Sequence, residues 1–398
     1  MKNLQLLLLL LASATTMQAQ KPAFARGADI SWATEMEADG VKFCDRNGQE
    51  TDIFALMAQV GMNAIRLRVW VNPDPFYGPW SNKADVLAKA RRAHAQGQAL
   101  LIDFHYSDFF ADPSRQDKPA AWADYTMEQL QQAVRQHTVD ILTALRDEGI
   151  EPAWVQVGNE TRSGMLWDSG KIDWSQSGTA AWTGYATLSN AGYDAVKSVF
   201  ADVPVIVHID RGHEDNAWFY EQFKAAGGKF DMIGLSHYPE TATWQAQNLQ
   251  TANHIKTLHQ KFSVPVMVVE TGFYASNETL AAQVISDFFA KAKAAEGCTG
   301  VFYWEPQVYG GWRPHYYEGL NWGSYDKGAF TPDGRPSAAL DAFYDPTDGV
   351  PQLGTAADEA CPAAVYDLQG RRVLSANAPA APLRKGLYIS RHRAFVAP

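Results

Sequence analysis

The chain has 398 residues and a formal net charge of −10, with no basic stripe concentrated enough to hold a phosphate backbone, which argues against nucleic acid and for a neutral or small partner. Its 46% hydrophobic and 20% charged residues give it the balance of a globular chain that can bury a sizeable core, not of a disordered or fibrous one. The 13 Trp exceed what a core ordinarily needs and point to half-exposed indoles in a cleft, where flat rings suit sugars; core packing is the alternative for any single one.

At the N-terminus, Met1-Lys2-Asn3 precedes an apolar block over 4–12 and a small-residue stretch ending at Met17-Gln18-Ala19. This is the tripartite form of a secretory signal peptide, so residues 1–19 are expected to be removed and the protein to be secreted, to the periplasm, the cell surface or the medium. The block is too short for a membrane span, and no other stretch approaches the roughly 20 apolar residues required. The three cysteines, Cys44, Cys298 and Cys361, are odd in number and share no metal-ligand spacing, so at least one thiol stays free and stability must come from the core.

From residue 26 onward, short runs rich in β-branched and apolar residues alternate with longer segments of helical period. The strand-like runs are 26–32, 64–70, 99–105, 153–159, 205–209, 232–237, 266–270 and 300–305; helices are expected at 83–96, 127–148, 181–200, 254–261 and 278–295. Eight strand-then-helix cycles predict an α/β fold, a closed (β/α)8 TIM barrel over 20–345. An open doubly wound sheet would ordinarily carry a Gly-rich phosphate turn after its first strand, and Gly27-Ala28-Asp29 does not supply one. Residues 346–362 are rich in Pro, Gly, Asp and Ala and read as a linker, and 363–398 reads as a short β-rich module.

In such a barrel the loops after the strands gather on one rim, so polar residues at strand C-termini are the candidates for chemistry. Read in order they are Asp29, Arg66 with Arg68, Asp103 with His105, Asn159-Glu160, His208 with Asp210, His237-Tyr238, Glu270 and Trp304-Glu305. Glu160 and Glu270 end the fourth and seventh strands, which lie across the cavity from each other. Two rim carboxylates so placed can approach the ~5–5.5 Å that double displacement requires, one protonating the leaving oxygen and the other attacking the anomeric carbon. Arg66 is the cation expected to keep Glu270 ionised. The competing reading of a lone rim Glu is an ordinary salt bridge, which is the alternative kept for Glu305.

These residues sit in Arg26-Gly27-Ala28-Asp29-Ile30-Ser31, Asn63-Ala64-Ile65-Arg66-Leu67-Arg68-Val69-Trp70, Asp103-Phe104-His105-Tyr106-Ser107-Asp108, Gly158-Asn159-Glu160, Val269-Glu270-Thr271-Gly272 and Tyr303-Trp304-Glu305-Pro306. On these motifs the chain resembles glycoside hydrolase family 53, the arabinogalactan endo-β-1,4-galactanases, from about Arg26 to Tyr344. The resemblance implies a retaining hydrolase with Glu160 as acid/base, Glu270 as nucleophile and pectic β-1,4-galactan as substrate. It further implies that Asn159 bonds the sugar 2-hydroxyl and that His105, His237 and Arg66 line the same floor. Trp304 is expected to stack beneath a pyranose, and Asp29, Trp70 and Tyr238 complete the expected substrate-binding set. Orienting neighbouring side chains without touching the sugar is the alternative for His105 and His237.

Several positions depart from the family pattern: Phe110 stands where Trp is common, Val308 and Tyr309 follow Gln307 in place of Trp, and Thr161 replaces an aliphatic residue. The first two bear on distal subsites and product length. Some relatives bind calcium in the last rim loop, but Glu318, Asn321 and Asp326 have no calcium-loop spacing, so no metal, no other cofactor and no stable protein partner is expected. Rival readings are a clan-related retaining endo-β-1,4-mannanase or glucanase, and a glycan-binding barrel without catalysis. The tail, through Tyr366-Asp367-Leu368-Gln369-Gly370-Arg371-Arg372 and Lys385-Gly386-Leu387-Tyr388-Ile389, resembles the C-terminal sorting domain of secreted Bacteroidetes proteins, as a working signal or a remnant.

Overall fold

The computed structural model describes residues 21–73, 76 and 78–345, together with the backbone of four tail strands, Val365–Asp367, Arg372–Leu374, Gly386–Ser390 and Arg393–Ala397. The expected signal peptide and the expected linker lie outside the described residues. Eight parallel strands, Ala25–Asp29, Ala64–Val69, Ala99–Phe104, Trp154–Val157, Val205–Ile209, Met232–His237, Val266–Thr271 and Cys298–Trp304, pair in sequence order, and the last closes onto the first. The α/β barrel expected from the sequence is therefore the fold. The tail strands form a separate antiparallel sheet. Among the described residues, no helix is long and apolar enough to cross a membrane.

Strand alternation explains where each side chain goes. Inward-facing positions low in the barrel, including Leu101, Trp154, Ile206, Met232, Met267 and Phe302, form a compact interior cluster, so the barrel floor is packed and not a pore. Gly27 makes room for this plug: a Cβ there would lie 2.1 Å from the Phe302 ring. Higher on the same inward rows stand Asp29, Arg66, Arg68, Asp103 and Gln156, all but sealed from solvent. The outward rows pack under helices whose buried stripes recur at helical period. Met127–Asp147, opened by a Thr126/Gln129 capping box, buries Leu130, Val134, Ile141, Leu142 and Leu145. Each such side chain contributes about 1.5–3 kcal/mol by leaving water.

One irregularity positions chemistry. The pairing of the sixth and seventh strands slips between Leu235↔Val268 and Ser236↔Glu270. Strict alternation would send Glu270 outward, because Val269 already points into the interior cluster. The bulge gives Val269 and Glu270 the same side and aims the carboxylate into the barrel mouth.

Candidate active site

The barrel mouth holds a cleft of about 440 Å³ lined by His105, Asn159, Glu160, Tyr238, Glu270 and Trp304 among others. A wider depression of about 650 Å³ lies on the outer side of Met127–Asp147, beside Trp122 and Gln136, and its acidic group, Asp140, is held by Lys83 at 2.7 Å. No carboxylate pair faces it, so the chemistry belongs to the mouth.

At the base of the cleft one guanidinium serves three carboxylates. Arg66, fully buried, reaches Asp29 at 2.7 Å, Asp103 at 2.8 Å and Glu270 at 3.0 Å, and also donates to Asn159 Oδ1 at 2.8 Å. Burial alone would weaken its charge, but Asp103, Glu270 and Asp29 more than offset this and hold it protonated. Glu270 takes a second hydrogen bond, at 3.0 Å from the Tyr238 hydroxyl to Oε2. Burial raises its pKa to about 7, and Arg66 opposes that rise.

Glu160 sits in different surroundings. Its backbone occupies the left-handed region, φ 47°, as do Tyr106 and Glu305 just past their own strands. Such non-glycine residues cost about 1–3 kcal/mol and persist where neighbours over-determine them. Here the Glu160 amide donates to His208 Nδ1 at 3.3 Å, and the next residue, Thr161, donates from its amide to the His208 carbonyl at 2.9 Å. Burial pushes the Glu160 carboxyl well above the usual range, and the charge of Glu270 adds to it. Among the described residues, the one direct hydrogen bond to this carboxyl is from Ser236 Oγ, at 2.6 Å.

His208 stands behind that serine, its Nε2 2.8 Å from Ser236 Oγ. Burial, reinforced by Arg66 and His105, pushes the imidazole well below its usual range, so the ring is neutral. Gln156 Nε2 and the Glu160 amide both approach Nδ1, which assigns the ring proton to Nε2. Asn159 Oδ1 also comes within 3.0 Å of Nδ1, but that oxygen already accepts from Arg66. The ring then donates to Ser236, whose hydroxyl hydrogen is left for Glu160.

The mouth thus brings together six of the candidate residues, Glu160, Glu270, Asn159, His105, Tyr238 and Trp304. Asp29 and Arg66 lie one layer below, sealed from solvent, and orient Glu270 without reaching the cleft. Two expected contacts are corrected. Trp70 is completely buried and packs on Phe109, Phe110 and the Arg68 guanidinium, behind the cleft wall. His237, one residue beyond inward-facing Ser236, points out of the barrel, where Asn248 meets Nε2 at 2.8 Å and Thr251 meets Nδ1 at 2.9 Å.

Glu305 follows the alternative kept for it. Arg68 at 2.5 Å, Gln307 at 2.6 Å and the Trp32 amide at 3.2 Å occupy its oxygens. His105 bonds Asp103 through Nε2 at 3.0 Å and accepts from the Ala111 amide at Nδ1, so it lines the cleft in a fixed orientation. Sequence reasoning missed Ser236, which follows an unremarkable Gly-Leu pair, and the aromatic wall of Tyr274, Tyr317, Trp322 and Tyr325. Those rings come from the segments after the seventh and eighth strands, Tyr317 from the one-turn helix Tyr316–Gly319 and the others from irregular loops, where no periodicity marks a facing side. Thr161 spends its hydroxyl on Tyr185 at 2.7 Å and does not enter the cleft. Among the described residues no cluster of three or more His, Cys, Asp or Glu side chains is arranged to hold a metal ion, and Asp326 is paired with Lys327 at 3.2 Å.

Residues 25–287 match the sequence model of glycosyl hydrolase family 53. An arabinogalactan endo-β-1,4-galactanase of Cellvibrio japonicus is 32% identical over 84% of this chain and 94% of its own length. An uncharacterised protein of Niallia circulans is 39% identical over 64% of this chain and 69% of its own. The solved catalytic domain of a family member from Ignisphaera aggregans superposes with a TM-score of 0.70 at 28% identity, covering 81% of this chain and 95% of that one.

Proposed function

Because the chain belongs to glycosyl hydrolase family 53, we propose that it is an endo-acting hydrolase of the β-1,4-galactan side chains of pectic arabinogalactan, working by double displacement. Glu270, held by Arg66 and Tyr238, attacks the anomeric carbon. Glu160 delivers its proton to the glycosidic oxygen as that bond breaks, leaving a glycosyl ester on Glu270. Glu160, now a carboxylate, takes a proton from water; the hydroxyl adds to the anomeric carbon and Glu270 departs, restoring both groups. Asn159, on the cleft floor, is placed to meet the 2-hydroxyl, where a hydrogen bond strengthens as charge develops on the ring.

One observation carries the assignment of roles: Glu160 is half-buried and Glu270 buried, but only Glu270 has a guanidinium at 3.0 Å. The proton the two groups share at neutral pH therefore resides on Glu160, the arrangement an acid and a nucleophile need. Trp304, braced by Trp32 and Tyr325, offers its indole as a sugar platform. The block over 4–12 supports secretion, which N-terminal sequencing of exported protein tests, and removing 363–398 tests the tail as a sorting signal.

The deciding experiment offers purified protein linear β-1,4-galactan, mannan and carboxymethyl-cellulose, with Glu160→Gln and Glu270→Gln alongside. Galactan depolymerisation that both variants lose, with the β-anomer released first by proton NMR, is expected. Cleavage of mannan or cellulose in its place makes this a rival glycanase, and binding without cleavage makes it a glycan-binding barrel.

A further inference from the structure

Few large apolar side chains stand exposed among the described residues, and two of them touch. Trp174 is 56% exposed and Trp218 38% exposed, with ring centroids 5.8 Å apart. Both rest on Trp182, which is buried, at 5.8 Å and 6.0 Å. Exposed indole costs free energy in water, so a rigidly built pair calls for an occupant.

The pair is rigidly built. Trp174 rides a turn whose first residue, Asp173, accepts from the Ser175 amide at 3.0 Å, the Ser175 hydroxyl at 2.6 Å and Gln176 Nε2 at 2.7 Å. Trp182 and Trp218 stand at the N-terminal ends of Thr183–Val199 and Ala217–Ala225, the helices that follow the fourth and fifth strands. In a barrel, the N-terminal ends of these helices lie on the same rim as the active site. The platform is also tied to the cleft. Arg162, two residues beyond Glu160, donates to Asp210 at 2.5 Å and to Asn216 at 2.9 Å, and Asn216 directly precedes the helix carrying Trp218.

We propose that Trp174 and Trp218 form an outer subsite for neutral hexopyranose units of the substrate chain, on the leaving-group side of the scissile bond. This rests on the glycanase reading above. The acid that protonates the leaving oxygen is on the fourth strand, so the departing chain exits past the loops after strands four and five, over these indoles. A pyranose offers an apolar face of C–H groups to a flat ring and needs no charged partner.

The test compares Trp174→Ala and the Trp174→Ala/Trp218→Ala double variant with the parent on whichever polymer the parent cleaves, and on the shortest oligosaccharide of that polymer it still cleaves. The expected result is a fall in kcat/KM of about tenfold on polymer, the scale of one lost stacking contact, with less than a twofold change on the short substrate. Quenching of Trp fluorescence by oligosaccharide, read in Glu270→Gln, should shrink when Trp174 is removed. Equal losses on both substrates, no loss on either, or a parent dimer that Trp174→Ala dissolves would each overturn the proposal. If the parent cleaves mannan and not galactan, the substrate assignment fails while the platform is still judged on mannan.

Discussion

Replacing Tyr238 by Phe removes one hydrogen bond and keeps the ring's volume. The hydroxyl donates to Glu270 Oε2 at 3.0 Å, and it stays protonated because burial and the neighbouring Glu270 push it well above its usual range. A hydrogen bond to a charged acceptor contributes about 1.5–3 kcal/mol, and 1.36 kcal/mol is one pKa unit, so its loss should raise Glu270 by about 1–2 units. From about 7, Glu270 would move to about 8–9. At pH 7 the ionised fraction then falls from about a half to about 1–10%, and kcat/KM falls about 5- to 50-fold. The assay is kcat/KM against pH from 4 to 10 for parent and variant, with Tm recorded for each. The acid limb should shift upward and the deficit should narrow as pH rises. A loss of the same size at every pH, with the acid limb unmoved, would refute the claim that Tyr238 acts on the ionisation of Glu270.

Ser236→Ala should act on the opposite limb. The serine hydroxyl favours the ionised form of Glu160, so its loss should move the alkaline limb up by about one unit; a limb that stays or falls contradicts the role. Glu35→Gln tests stability. Glu35 is 1% exposed, neither carboxylate oxygen has a hydrogen-bond partner among the described residues, and burial lifts its pKa from 4.5 to about 8. A folded pKa above the unfolded one gives stability that is full below 4.5 and lost as pH rises through 8. The variant does not titrate, so it should gain on the parent by roughly 4–5 kcal/mol between pH 4.5 and pH 8, and a calorimetric Tm difference independent of pH would refute this.

Strands were the legible part of the fold because buried parallel strands are short unbroken apolar runs. Val205–Ile209 and Met232–His237 have the bounds expected from sequence, and the other six differ only at their ends. Helices were less so. Trp244–Phe262 begins well before the expected 254, because Gln245, Gln247 and Asn248 dilute its apolar stripe, and Asn248 is buried there to bond His237. Ala217–Ala225 was missed, since Trp218, Phe219, Tyr220 and Phe223 crowd its short length and blur the period.

In the site, residues ending strands were predictable and their facing was not. His237 and Glu270 carry the same sequence signal, a polar group closing an apolar run. Alternation turns the one outward, and a one-residue bulge turns the other inward. Neither is visible without the neighbouring strand.

The single guanidinium among three carboxylates bears on how this enzyme can change over evolutionary time. Asp29, Asp103 and Glu270 each depend on Arg66 for countercharge, so a substitution at any one alters the field felt by the other two. Paired substitutions there should be strongly non-additive, and a lineage could rarely cross from one working arrangement to another by single steps. Diversification is thereby steered away from the barrel floor to the outer loops, where Trp174 or Trp322 can be exchanged without disturbing that shared charge.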